Sequence, residues 1–128
     1  MSEENVEIVR RSFEAYLRGD YPEAVSYLAP DVVYEVGQEL PARGPDEVRE
    51  KWQRWDDVWD QQETVAEEYI DAGDHVVVAV RYSARGRGSG IEVGTRSFEV
   101  HTFRDGKCVH KRDFNERSQA LEAAGLQE

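Results

Sequence analysis

The chain has 128 residues, enough for one domain, residues 1–128, with a real core. Its net charge of −11 opposes nucleic-acid binding, and the densest basic stretch, RYSARGRGSG, offers no strongly basic stripe to overcome it. The single cysteine, Cys108, excludes an internal disulfide and a cysteine-rich zinc site, and no apolar run approaches the roughly 20 residues of a membrane helix.

The opening MSEENVEIVRR is acidic and amphipathic, unlike a signal peptide, so the cytoplasm is the expected compartment. Val6, Val9, Phe13, Tyr16 and Leu17 recur at helical spacing, with Ser2 as a cap and Gly19 as the stop. Asp20-Tyr21-Pro22 restarts a short helix with Ala24, Val25 and Leu28 inside. Proline is tolerated in a first turn, which needs no amide donor, and Ala29-Pro30-Asp31 ends the helix. Residues 31–36 read as a strand and 37–44 as a loop. Pro45-Asp46-Glu47 opens a third helix, with acids where the macrodipole favours them. Val48, Trp52, Trp55 and Trp59, spaced 4, 3 and 4, would share one face of it.

From Thr64 the pattern turns to strands: 64–73, a nearly continuous apolar run over 75–84, then 91–103 and 107–115, with a flexible Gly-Arg-Gly-Ser-Gly connection at 86–90. Residues 118–124 form a short closing helix. Helices first and a four-strand meander after them predict an α+β fold, with helices packed on one side of an antiparallel sheet.

The polar hairpin HTFRDGKCVHKRDF raises the functional question, because its face depends on register. A three-residue Arg-Asp-Gly loop puts Glu99, His101, Phe103, Val109, Lys111 and Asp113 together, with Glu99 opposite Lys111. A two-residue loop puts Glu99 opposite Arg112 and moves Asp113 to the face of Phe98, Val100 and Thr102. Either register gives Glu99 a basic cross-strand partner, so charge does not choose between them.

Other chemistries lack support. GRGSG is neither a phosphate loop nor a dinucleotide fingerprint. His75, His101 and His110 have no metal-ligand spacing, so no metal and no cofactor is expected. No Gly-x-Ser-x-Gly occurs, and Cys108 shows no sign of activation.

Together GDYPEAVSYLAPDVVYE, RGPDEVREKW, DAGDHVVVAVR, FRDGKCVHKRDF and ALEAAGL resemble the SnoaL-like polyketide cyclase branch of the nuclear transport factor two-like superfamily, over essentially the whole chain. The resemblance implies a cone: N-terminal helices packed in a strongly curved, mainly antiparallel sheet enclosing a pocket. It also implies an acid/base role for Asp113, which ends a stretch that reads His-Trp-Asp in those cyclases and Lys111-Arg112-Asp113 here. Glu99 stands where those enzymes carry a supporting His, and His101 lies two residues on. The steroid isomerase branch would need an Asp at Val36 and a Tyr at Ser12, so that activity is not implied.

The expected site therefore has Asp113 as acid/base, with His101 and Glu99 beside it. Tyr16, Tyr34, Trp52, Trp55, Trp59, Phe103 and Lys111 would form the substrate-binding wall. A small hydrophobic or aromatic molecule is the expected partner. A homodimer is also expected, paired through a greasy face of Phe98, Val100, Cys108 and Phe114. A cofactor-free proton-transfer enzyme (cyclase, isomerase or dehydratase), a non-catalytic binder and a dimeric assembly module all fit the sequence.

Overall fold

A computed structural model describes residues 2–126, with the side chain of Ser2 outside the described set. The elements are α1 (Ser2–Leu17), α2 (Tyr21–Ala24), β1 (Leu28–Val36), β2 (Ala42–Arg43), α3 (Gly44–Asp57), β3 (Trp59–Ala72), β4 (His75–Gly86), β5 (Glu92–Arg104), β6 (Lys107–Phe114) and α4 (Arg117–Ala123). Ser2 is already helical, so the capping expected of its side chain lies outside the described residues. None of these helices is long and apolar enough to cross a membrane.

The six strands form one sheet in the order β2-β1-β6-β5-β4-β3. The β3-β4-β5-β6 meander is antiparallel, as its hairpin signals predict, and β6 then pairs in parallel with β1. The end strands β2 and β3 do not pair, so the curled sheet is not closed into a barrel. Alternation in β4 explains the layers. Val76, Val78 and Val80 point to the concave side and join Val9 of α1, Val32 and Tyr34 of β1 and Val48 of α3 in the main core. Val77 points outward and joins Val100, Ala120 and Ala124 under α4. Helices thus cover both faces, not one, because the central strand is apolar on both sides.

Local chemistry sets several boundaries. Gly19, at φ 78°, ends α1, and Leu17 is left exposed rather than inward as expected. Asp20 caps α2 by accepting from the Glu23 amide at 3.1 Å. That helix stops at Ala24, so Val25 is its cap and Leu28 opens β1. The expected 37–44 loop contains β2, which pairs with β1.

The Trp stripe is shorter than predicted. Helix α3 ends at Asp57, and Trp59 starts β3 opposite Gly86. Tertiary pairing overrides the helical spacing there. The Arg87 amide donates to the Val58 carbonyl at 2.9 Å, and its guanidinium donates to the Trp59 carbonyl at 3.1 Å.

The β5-β6 hairpin adopts neither expected register. Arg104 pairs with Lys107 across a turn of Asp105 and Gly106, both left-handed at φ 52° and 78°, as a type I′ turn requires. That turn alone would send Asp113 to the outer face. A bulge intervenes: Phe103 pairs with Cys108 and Thr102 with His110, which leaves Val109 over. One extra residue inverts the facing of everything beyond it. Glu99 therefore faces Asp113, and His101 faces Lys111. These four share the concave face, as the three-residue reading expected, but with different partners.

The two-residue turn, ahead of the bulge, pairs Cys108 with Phe103 and so turns it into the main core, where burial pushes its thiol up to about 12. It does not join Phe98, Val100 and Phe114 on the outer face. Of those three, Val100 is covered by α4, while Phe98 and Phe114 are half-buried.

Candidate functional site

A cavity of about 510 Å³ opens between the concave sheet, α1 and α3. Val9 and Phe13 of α1, Trp52 and Trp55 of α3, and Val58 give it an apolar wall. Tyr27, Tyr34, Glu99, His101, Lys111 and Asp113 give it a polar floor. A mostly apolar enclosure with a few convergent polar groups is the form that small-molecule sites take.

The floor is one connected network. Tyr34 donates its hydroxyl to Asp113 Oδ2 at 2.5 Å, and Lys111 Nζ donates to Asp113 Oδ1 at 3.1 Å. Lys111 also lies 3.7 Å from Glu99 Oε1 and 4.1 Å from the centre of the Tyr34 ring. His101 Nε2 is 3.0 Å from Glu99 Oε1, and its Nδ1 is 3.0 Å from the Tyr27 hydroxyl. With Glu99 ionised, Nε2 carries the ring proton and donates it, and Nδ1 accepts from Tyr27.

Electrostatics divides the two carboxylates. Burial pushes both upward, and the outcome depends on partners. For Glu99, the Lys111 charge and the His101 hydrogen bond outweigh burial and hold its carboxyl at about 2. For Asp113, burial and the nearby Glu99 charge outweigh the pull of Lys111 and Tyr34, so its carboxyl lies above its ordinary value. Burial also holds His101 below its ordinary value, against the pull of Glu99, which keeps the ring neutral. Lys111 is raised despite its burial, because Asp113 and Glu99 flank it. Two carboxylates share one ammonium, and of the two Asp113 has the greater affinity for a proton.

The structure brings together Glu99, His101, Lys111, Asp113, Tyr34, Trp52 and Trp55 around the cavity. It places Tyr16 there too, but the Tyr16 hydroxyl is already committed, donating to Asp56 Oδ1 at 2.5 Å; Tyr21 donates to the other oxygen of the same carboxylate. Phe103 and Trp59 lie outside the lining. Phe103 packs against Tyr27 with ring centres 6.2 Å apart, and Trp59 packs edge-on against Trp55 at 5.2 Å. Ser12 and Val36, the positions that lack the steroid isomerase groups, do line the cavity.

The sequence reading missed Tyr27, Asp56 and Tyr82. Tyr82 had a usable signal, since it continues the even-numbered series Val76, Val78 and Val80 on the concave face. Tyr27 and Asp56 had none, because each reaches its partner from a helix end or connection. Among the described residues, no group of three His, Cys, Asp or Glu side chains has the arrangement to hold a metal ion.

A family model for the SnoaL-like domain matches residues 9–111. Among solved structures, an NTF2-like protein from Burkholderia thailandensis E264 is 27% identical, with 91% of this chain and 95% of that one covered and a TM-score of 0.80. TerC, co-crystallized with polyporic acid, is 21% identical, with 95% and 98% covered and a TM-score of 0.76. A hypothetical protein of ketosteroid isomerase-like fold from Catenulispora acidiphila, in complex with trimethylamine, is 19% identical, with 94% and 93% covered and a TM-score of 0.75. The last two likenesses speak for the fold. No curated protein matches the sequence.

Proposed function

The chain belongs to the SnoaL-like domain family, and from that premise we propose that its cavity binds a small hydrophobic or aromatic molecule and that Asp113 transfers a proton next to a carbonyl, without a cofactor. The observation that carries this reading is the unequal pair of buried carboxylates on the cavity floor. Glu99 is held ionised, while Asp113, beside the same ammonium, has a raised affinity for a proton. A raised carboxyl is the form a proton shuttle needs near neutral pH. Glu99 and His101 act as positioning residues, fixing Lys111 and the floor around Asp113. Trp52 and Trp55 supply the aromatic wall, and Lys111 and Tyr34 hold the Asp113 carboxyl.

The test uses 2-tetralone, a small ring ketone with acidic hydrogens beside its carbonyl. Binding should quench the fluorescence of Trp52 and Trp55, and the protein should catalyse deuterium exchange at the α-carbon in heavy water, read by NMR. Quenching without exchange favours the second reading, a non-catalytic binder. That reading draws support from the two protein hydrogen bonds that already engage Asp113. Neither quenching nor exchange overturns both.

The reading includes a homodimer that buries the half-exposed Phe98 and Phe114 on the outer face. The rest of that face is less suited to it than the sequence suggests, since Glu67 there pairs with Arg81 at 3.3 Å and Arg96 at 3.0 Å. Light scattering at micromolar concentration should give twice the 14.7 kDa of one chain. A monomer mass removes the dimer from the reading.

A further inference from the structure

The donors on the cavity floor are spoken for. The Tyr34 hydroxyl goes to Asp113, the Tyr27 hydroxyl pairs with His101, and His101 goes to Glu99. The Tyr16 hydroxyl goes to Asp56. Tyr82 also lines the cavity and differs from these tyrosines: no hydrogen bond engages its hydroxyl among the described residues. It sits in the middle of a row that crosses three strands, with Thr64 of β3 opposite it on one side and Thr95 of β5 on the other. All three residues line the cavity. Thr64 is buried, and its hydroxyl also lacks a partner among the described residues.

A buried hydroxyl left unpaired is costly, so the Thr64 hydroxyl has a physical use when something in the cavity pairs with it; the Tyr82 hydroxyl beside it lines the same cavity, whereas the exposed Thr95 hydroxyl donates to the Arg96 carbonyl at 3.4 Å. We propose that Tyr82 orients the ligand by donating its phenolic hydrogen to an acceptor oxygen, a ring carbonyl or ether, with Thr64 and Thr95 flanking it. The row lies four residues along β5 from Glu99, about 13 Å at the backbone for a strand rise of about 3.3 Å per residue. Burial, with the charges of Glu99 and Asp113, pushes the Tyr82 hydroxyl up against the pull of Lys111. The Tyr82 phenol therefore stays protonated and donating. The ligand class is then a ring compound bearing at least one acceptor oxygen.

This inference rests on the cavity being a ligand site, and the probes are chosen to separate the two ideas. 2-Tetralone and tetralin share one skeleton, and only the ketone has an acceptor oxygen. The wild type should bind 2-tetralone roughly three- to tenfold more tightly than tetralin, the worth of one hydrogen bond. Tyr82→Phe should bring that ratio close to one while leaving tetralin affinity unchanged, and Thr64→Val should reduce it by less. The carbonyl stretch of bound 2-tetralone should move to lower frequency in the wild type and return toward its free value in Tyr82→Phe. Tyr82 as a mere wall would change neither the ratio nor the stretch. A Tyr82→Phe protein that keeps the full preference for the ketone overturns the inference and leaves the cavity reading standing. A wild type that binds neither probe overturns both.

Discussion

Lys111→Met lowers the stability of the fold by about 3–5 kcal/mol at neutral pH, the usual cost of leaving buried charges without their partner. In a chain of this size that is a fall of about 10–20 °C in Tm. The substitution keeps the length of the side chain and removes the ammonium that sits 3.1 Å from Asp113 and 3.7 Å from Glu99. The pH dependence makes the test specific. In the wild type the Glu99 carboxyl is held below its ordinary 4.5, at about 2, so its stabilising contribution is complete above 4.5 and is lost as pH falls toward 2. In Lys111→Met both carboxyls are pushed up by burial and by each other. Their folded forms then bind protons more tightly than their unfolded ones, and acidification from neutral toward pH 4.5 restores stability. Denaturant titrations at several pH values should show the two proteins converging as pH falls. A Lys111→Met protein within about 1 kcal/mol of wild type at pH 7 would mean that the floor is wet and its charges screened.

Asp113→Asn lowers the rate of α-deuterium exchange into 2-tetralone by about 100-fold or more, the usual contribution of a positioned acid/base. Asparagine keeps the shape and one acceptor oxygen, for either the Tyr34 hydroxyl or the Lys111 ammonium, but it does not exchange a proton. The fold should tolerate it. The Asp113 carboxyl is raised in the folded chain, so its own contribution to stability is present at low pH and is lost as pH rises through its folded value. Removing the ionisable group at neutral pH therefore takes away no stabilising term of its own. The base form of Asp113 accumulates as pH rises through that same raised value, so wild-type exchange should climb there and level off. The residual exchange of Asp113→Asn should show no such step. His101→Gln should cost less, because His101 acts through Glu99 and Lys111 rather than on the ligand. Coincident pH profiles for wild type and Asp113→Asn from pH 4 to 9 would show that the proton carrier is another group.

Much of the fold is legible in the chain because it depends on short-range rules. The apolar spacing in α1, the nearly continuous apolar Val76–Val80 run and the Asp-Gly turn each report a local preference, and each element appears close to its expected place. The errors fall where a distant segment decides. Trp59 continues a helical stripe in sequence, yet it is a strand residue because Gly86 pairs with it from another strand. Cys108 shares a face with Val100 on paper but turns inward because the two-residue turn pairs it with Phe103, and Asp113 faces inward only because Val109 bulges. Nothing near Cys108 in sequence announces that bulge.

The candidate site divides along the same line. The chain by itself determines that Glu99 and His101 share a face, as do Lys111 and Asp113, since residues two apart on a strand point the same way. It also determines the net acidity, the lone cysteine and the aromatic richness around Trp52 and Trp55. Only the tertiary structure decides that the two pairs meet, because without the single extra residue Val109 in the hairpin they would fall on opposite sides of the sheet. Only the tertiary structure, too, brings Tyr27 and Tyr34 across from other segments to engage His101 and Asp113. It also leaves Tyr82 unengaged among the described residues. Facing along one strand is fixed by backbone geometry, whereas proton affinity and hydrogen-bond commitment depend on burial and on partners more than 70 residues away, such as Tyr27 for His101 at 74 and Tyr34 for Asp113 at 79.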